Sequence, residues 1–367
     1  MGHYPKIEYL EQVMRDGMQI EDANIPVEAK VRLLDALGET GLKYIMVGLF
    51  VSGHWVPQMA GMDELMKRFR PKPGVKYTAM VLSEPGLQRA LRYSPPLTIE
   101  SEVPTLQCHV CDVFPRRYLQ KSQEQVMAGW PRVVARAREL GADEAGISLH
   151  APWGSNWLRA YTLADQLPLL EKQHRLWDEA GIKVTQIRLV DPMSWGSPAS
   201  VEETMLAVKE RWPRIRYFDL HLHNARGLAL ANVYAAIRVL GPDDTVLVEG
   251  SLGGLGGCPY CGNGRAAGLV PTEDLMDMLA ALGIETGVDM DRLVDCVWLL
   301  EEMIGRRSFG HVGNAGPRPV GRDKWYPMDM PFVETLEQAK HFRLGPEVYE
   351  GCLNPWKEPI RSAKRPS

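Results

Sequence analysis

Two histidines separated by one residue, in Tyr217-Phe-Asp-Leu-His-Leu-His223, offer the most pointed chemistry in the chain. The segment alternates apolar and polar residues and reads as a strand, in which side chains two apart share a face. Asp219, His221 and His223 then line one side, with both imidazoles at the strand's C-terminal end. Two imidazoles on one face are part of a metal site and need oxygen ligands from elsewhere. Candidates stand at other apparent strand ends: Arg15-Asp16-Gly17-Met18-Gln19, Asp191, and a glycine-rich loop over residues 253–268 that carries Cys258, Cys261, Asn263 and Arg265. One carboxylate and two imidazoles make a core for Mg2+ or Mn2+, with substrate oxygens and water completing an octahedron. Each piece alone has a plainer reading. His-x-His can be structural, Arg15-Asp16 can be an ion pair closing a loop, and the glycine loop can be a phosphate cradle or a long turn. Their joint placement at strand ends is what raises the chemical reading.

Two Cys-x-x-Cys pairs, Cys108/Cys111 and Cys258/Cys261, suggest a four-thiolate zinc site. The first pair falls in an apparent strand, where residues three apart face opposite sides, so it would chelate poorly. The second lies inside the glycine loop, which favours an acid–base or gating role for Cys258 over a redox dithiol.

Strands must place these residues, and eight can be read: residues 7–14, 44–51, 76–82, 106–113, 144–151, 184–190, 216–223 and 245–252. Helical patterns separate them, as at residues 201–211 and 228–240. Eight β–α units predict a closed (β/α)8 TIM barrel over residues 1–305, with a doubly wound sheet as the alternative. In such a barrel the strand ends named above would share one face. Residues 272–283 and 290–304 read as helices, and residues 306–367 as a C-terminal helical and irregular extension, with a helical stretch at 332–341, packed on the barrel or on a partner subunit.

A hydrophobic content of 45% and charged content of 24% fit a globular chain of 367 residues. The net charge of -4, without a basic stripe, argues against nucleic acid. No apolar run is long enough for a membrane span, the N-terminus lacks a signal-peptide core, and the expected address is the cytoplasm. Six cysteines in this length are not a disulfide framework.

Several motifs, in order over roughly residues 7–305, are together more specific than any one. They are residues 15–19, Phe50-Val-Ser-Gly-His-Trp-Val-Pro-Gln-Met59, residues 221–232, Gly254-Leu-Gly-Gly-Cys-Pro-Tyr260 and Thr272-Glu-Asp-Leu275. With them the chain resembles the 3-hydroxy-3-methylglutaryl-CoA (HMG-CoA) lyase branch of the metal-dependent, pyruvate carboxyltransferase-type TIM barrels, a superfamily that also contains isopropylmalate, citramalate and homocitrate synthases. The resemblance implies retro-Claisen cleavage of a carbon–carbon bond in an acyl-CoA or hydroxy-acid substrate, and an oligomer of the dimer or tetramer kind. It implies that Asp16, His221 and His223 hold the divalent metal, that Arg15 stabilises the enolate, that Cys258 protonates it, and that Asp191 is an acidic site position. Gln19, Met46, Leu49 and Arg265 are the expected substrate contacts.

The departures from the lyase pattern carry information. Met46 stands where the lyases have glutamate, Leu49 where they have serine, and Asp22 where they have lysine. Leu269 occupies the position of their asparagine metal ligand, for which Asn263 is the substitute in a longer loop. These changes predict a substrate more apolar than HMG-CoA. The rival readings are an acyl-CoA-dependent Claisen synthase acting on a 2-oxoacid, and a barrel without turnover that serves as a binding subunit.

Overall fold

The computed structural model describes residues 3–99, 103–262, 268–328, 330–333, 335, 338–345, 348 and 350. Eight parallel strands follow one another along the chain: β1 (Lys6–Glu11), β2 (Tyr44–Phe50), β3 (Lys76–Val81), β4 (Thr105–Leu106), β5 (Glu144–His150), β6 (Lys183–Asp191), β7 (Tyr217–Leu222) and β8 (Thr245–Ser251). Their spatial order is β3-β2-β1-β8-β7-β6-β5-β4, so the first strand lies beside the last and the sheet curls into the expected barrel. The β1–β8 ladder runs in register from Lys6↔Thr245 to Glu11↔Gly250. Between β3 and β4 no ladder forms among the described residues, and an isolated Tyr77–Leu97 bridge lies on that side.

Strand alternation builds two layers. Outward residues such as Ile45, Val47, Ile147, Leu149, Leu189, Phe218, Leu220, Val246 and Val248 are fully buried in one apolar core. Helices close that core from outside with Leu33, Leu34 and Leu37 from Val27–Gly38 and Trp177 from Leu163–Glu179, whose indole N–H donates to Gly146 O at 3.0 Å. Inward positions carry polar groups instead, among them Glu8, Thr78, Ser148, Arg188, Asp219, His221 and Glu249, and these line a central cavity. No helix among the described residues is long and apolar enough to cross a membrane.

Two readings need correction. The fourth strand, expected over residues 106–113, is only Thr105–Leu106 followed by a lone His109–His150 bridge, and Val113–Leu119 is helical. Pro115 suits that helix, because it costs little in the first turn, where its missing N–H would have no intrahelical partner. The helix expected at residues 332–341 is absent among its described residues, and a 3-10 turn follows at Phe342–Leu344. The described parts of the extension lie on the helices Thr272–Ala281 and Met290–Ile304. His311 and Val312 donate backbone N–H groups to Asp274, and the Trp298 indole donates to Gly313 O.

Two buried glutamates fasten the strand ends. Glu11 accepts the N–H groups of Val13 (2.7 Å) and Leu252 (3.0 Å) and the Thr272 hydroxyl (2.5 Å), which joins β1 to the chain beyond β8. Glu11→Ala leaves two buried N–H donors without partners, at about 1–3 kcal/mol each, and equilibrium urea unfolding should show a loss of that combined size. Glu273 accepts the Gly253 N–H at 2.9 Å, and burial, with the charge of Asp274, pushes its pKa up to about 8. Folded protein therefore keeps this proton while the unfolded chain releases it near the usual carboxylate pKa of about 4.3. The contribution to stability is complete below that pH and is lost as pH rises toward 8. Glu273→Gln should flatten the fall in Tm between pH 5 and 8.

Candidate metal centre and active site

After β1 the backbone widens into a single π-helical turn, Val13–Gly17, in which the N–H groups of Arg15, Asp16 and Gly17 all converge on Gln12 O. This turn aims Arg15 and Asp16 at the barrel mouth. The glycine loop presses on it from above: a Cβ at Gly256 (φ +107°) would lie 2.5 Å from Asp16 Oδ1, so only glycine lets the loop approach so closely. From the far wall, β7 delivers His221, and His223 follows one step past the strand end.

Asp16, His221 and His223 each offer a ligand atom within 4.8 Å of the others, and all three residues are buried. The two Nε2 atoms are 3.2 Å apart. Burial pushes His223 down to about 4, so its ring is neutral. Burial opposes ionisation of Asp16, yet Arg15 and then the two histidines hold its pKa below the usual carboxylate range. Asp16 Oδ2 lies 2.5 Å from Arg15 Nη1, whereas the buried Oδ1 has no hydrogen-bond partner. This set fits a divalent cation. A bare carboxylate oxygen and two imidazole nitrogens converge, and the nitrogen spacing matches ligands at right angles with bonds of about 2.1 Å, roughly 3 Å apart.

The cavity that opens beneath these groups has a volume of about 1600 Å³, and its lining includes Arg15, Asp16, Gln19, Met46, Met80, Tyr118, His150, Arg188, His221, His223, Glu249 and Cys258. Cys258 is half-buried, and its hydrogen bond with Cys261 draws its pKa below the ordinary thiol value, while the same contact and burial push Cys261 up. Cys111 joins Cys261 in a small apolar cluster, whereas Cys108 belongs to the main core, so the four cysteines do not form one site.

Other expected site residues are placed differently. Leu49 is in the main apolar core and not among the cavity-lining residues. Met46 and Leu49 stand three residues apart, where strand alternation gives opposite faces, and the pairing of β2 with β3 is irregular between them, at Gly48 (φ +151°). Asp191 is buried away from the cavity lining, and its carboxylate accepts the N–H groups of Trp195 (3.1 Å) and Gly196 (2.8 Å). It organises the loop after β6 rather than facing the mouth, and burial raises its pKa to about 6. Leu269, at the position of the lyase asparagine, is buried and bridges His223 through the backbone, so its side chain offers no oxygen. Asn263 and Arg265 lie outside the described residues.

Sequence reasoning missed a polar layer just below the triad. Glu249 Oε2 lies 2.6 Å from His221 Nδ1, Arg188 bonds to Glu249 (2.5 Å) and to Asp219 (2.9 Å), and Gln12 also donates to Glu249. Burial opposes ionisation of Glu249, but Arg188 and His221 outweigh it and hold the carboxylate far below its usual range. The signal was present as a lone charge inside two otherwise apolar runs, Val246-Leu-Val-Glu249 and Ile187-Arg-Leu-Val190.

Comparison with known proteins agrees with this architecture. The HMGL-like family model matches residues 6–299. Mitochondrial hydroxymethylglutaryl-CoA lyase from Gallus gallus is 32% identical over 316 residues, which cover 85% of this chain and 98% of the relative. The 3-hydroxy-3-isohexenylglutaryl-CoA/hydroxymethylglutaryl-CoA lyase of Pseudomonas aeruginosa is 31% identical over 318 residues, covering 84% and 97%. The crystal structure of the hydroxymethylglutaryl-CoA lyase from Pseudomonas aeruginosa superposes with a TM-score of 0.67 at 29% identity, over 86% of this chain and 98% of that one. An HMG-CoA lyase from Acinetobacter baumannii, in complex with coenzyme A and 3-methylmalate, gives 0.67 at 25% identity over 86% and 97%. A barrel with this series of strand-end groups, matched over most of its length by such relatives, belongs to the HMGL-like family, among its carbon–carbon lyases.

Proposed function

We propose that this chain is a divalent-metal-dependent lyase that cleaves a 3-hydroxyacyl-CoA thioester whose acyl group is larger or more apolar than hydroxymethylglutaryl. The observation that carries the reading is a single cavity in which Asp16, His221, His223, Arg15 and Cys258 open onto an apolar wall of Leu10, Met46 and Leu247. The P. aeruginosa relative named for an isohexenylglutaryl thioester supports a branched apolar acyl group, and the A. baumannii complex supports coenzyme A as the carrier.

Asp16, His221 and His223 would hold the cation, with Leu269 leaving a further position to water or substrate. When bound, Mg2+ or Mn2+ supplies Lewis acidity toward the substrate's hydroxyl and carbonyl oxygens. Asp16 accepts the hydroxyl proton, and the bond from the hydroxyl-bearing carbon to the thioester's α-carbon breaks. The first carbon becomes the carbonyl of the departing product, and the electron pair passes to the α-carbon as the thioester enolate. Arg15 offers a fixed cation where that oxygen gains charge. Cys258 donates its thiol proton to the α-carbon and regains one from solvent.

The test is a panel of 3-hydroxyacyl-CoA thioesters of increasing branch length, incubated with Mg2+ or Mn2+ and read by mass spectrometry. Cleavage should favour the longer branches over HMG-CoA. Preference for HMG-CoA, or no cleavage at all, would refute the reading. Oxoacid-stimulated release of CoA from acetyl-CoA would mark a Claisen synthase instead.

A further inference from the structure

We infer that Glu249 is a positioning residue for His221: its carboxylate accepts a hydrogen bond from Nδ1–H and so fixes the tautomer that leaves Nε2 bare for a cation. This rests on the reading of Asp16, His221 and His223 as a metal centre. The ring is gripped at one nitrogen and presented at the other. Nδ1 meets Glu249 Oε2 at 2.6 Å, while Nε2 points to His223 Nε2 at 3.2 Å.

The carboxylate is itself immobilised. Arg188 Nη2 holds Oε1 at 2.5 Å, Gln12 donates to Oε2, and Arg188 is tied in turn to Asp219 at 2.9 Å. Strand register puts these groups at the right heights, because His221 pairs with Glu249 across β7–β8 and Arg188 pairs with Asp219 across β6–β7. Side chains paired in parallel strands stand side by side on the same face. A purely structural ion pair with Arg188 would need only one carboxylate oxygen, yet the second is directed at the imidazole in a site that is 1% exposed. Ligating histidines are commonly oriented by such an acceptor on the far nitrogen, and its loss weakens metal binding by about 10–100-fold.

The test has two arms. In metal-free protein carrying 15N-labelled histidine, the side-chain nitrogen shifts of His221 should report a proton on Nδ1. In Glu249→Gln, which keeps the shape of the side chain, Mn2+ should bind at least about tenfold more weakly in competition with a chromophoric chelator. The double variant Glu249→Leu/Arg188→Met, which leaves no orphaned cation, should also lose the Nδ1-protonated signature. A proton on Nε2 in the metal-free wild type, or a folded Glu249→Gln with Mn2+ affinity within twofold of wild type, would overturn the inference. The nitrogen shifts need no metal and no substrate, so they judge Glu249 separately from the metal-centre reading, which falls only if Asp16→Asn and His221→Ala keep their metal.

Discussion

His221→Ala is expected to strip the purified protein of its divalent cation and to lower kcat by about a thousandfold or more. The size follows from losing both a ligand and the several kcal/mol of charge stabilisation that a bound cation contributes, at about 1.36 kcal/mol per tenfold in rate. Asp16→Asn should do nearly the same. It removes the only carboxylate of the proposed ligand set, and it also leaves Arg15 without the carboxylate that it meets at 2.5 Å. Elemental analysis beside thermal melting separates loss of metal from loss of fold. Both variants should remain barrels, because the β7–β8 ladder is a backbone feature and the outward apolar layer is untouched. Unchanged metal content in both would end the metal assignment.

The second large effect is at Cys258. Cys258→Ser should lower kcat by about 10²–10³ while leaving the metal in place, since a positioned acid contributes about 10²–10⁴ and a serine hydroxyl is a far weaker acid than a thiol. Running the cleavage in D2O gives an independent readout. Wild-type enzyme should deliver one solvent-derived deuterium to the α-carbon, and the serine variant should do so slowly, with build-up of a species that partitions back to substrate. Wild-type rates on the preferred thioester would remove the acid role. Cys261, hydrogen-bonded beside it, keeps the Cys258 thiol below its ordinary pKa, so both members of the Cys-x-x-Cys pair matter even though no zinc site forms.

The barrel was legible because its strands are short apolar runs with polar residues in alternation, and that pattern survives in seven of the eight at nearly the expected bounds. Of the candidate site, the sequence marked the residues at strand ends, Arg15, Asp16, His221, His223 and Cys258, which the structure brings to one cavity. The site became illegible wherever backbone geometry decides which way a side chain points. Leu49 stands three residues from Met46, so strand alternation does not send both into the cavity, and of the two only Met46 lines it. Asp191 ends a strand on schedule, but the turn that follows brings two N–H groups back onto its carboxylate. Glu249 and Arg188 were hidden for the opposite reason. They lie inside strands rather than at their ends, and their meaning depends on cross-strand register that no local pattern encodes.

The β1–β8 pairing also has a bearing on how the protein is made. Strands adjacent in sequence at the β3–β4 step share no ladder among the described residues, whereas the two most distant in sequence share a full one, joining positions about 240 residues apart. Closing a loop of that length costs about 5 kcal/mol of chain entropy, and contacts of such high order slow folding. On the ribosome, β1 waits with an open edge until nearly the whole barrel has been synthesised, and Glu11 waits for Leu252 and Thr272. His221 emerges before the Glu249 that orients it. The contact between His221 and Glu249 therefore forms only once β8 has docked between β7 and β1.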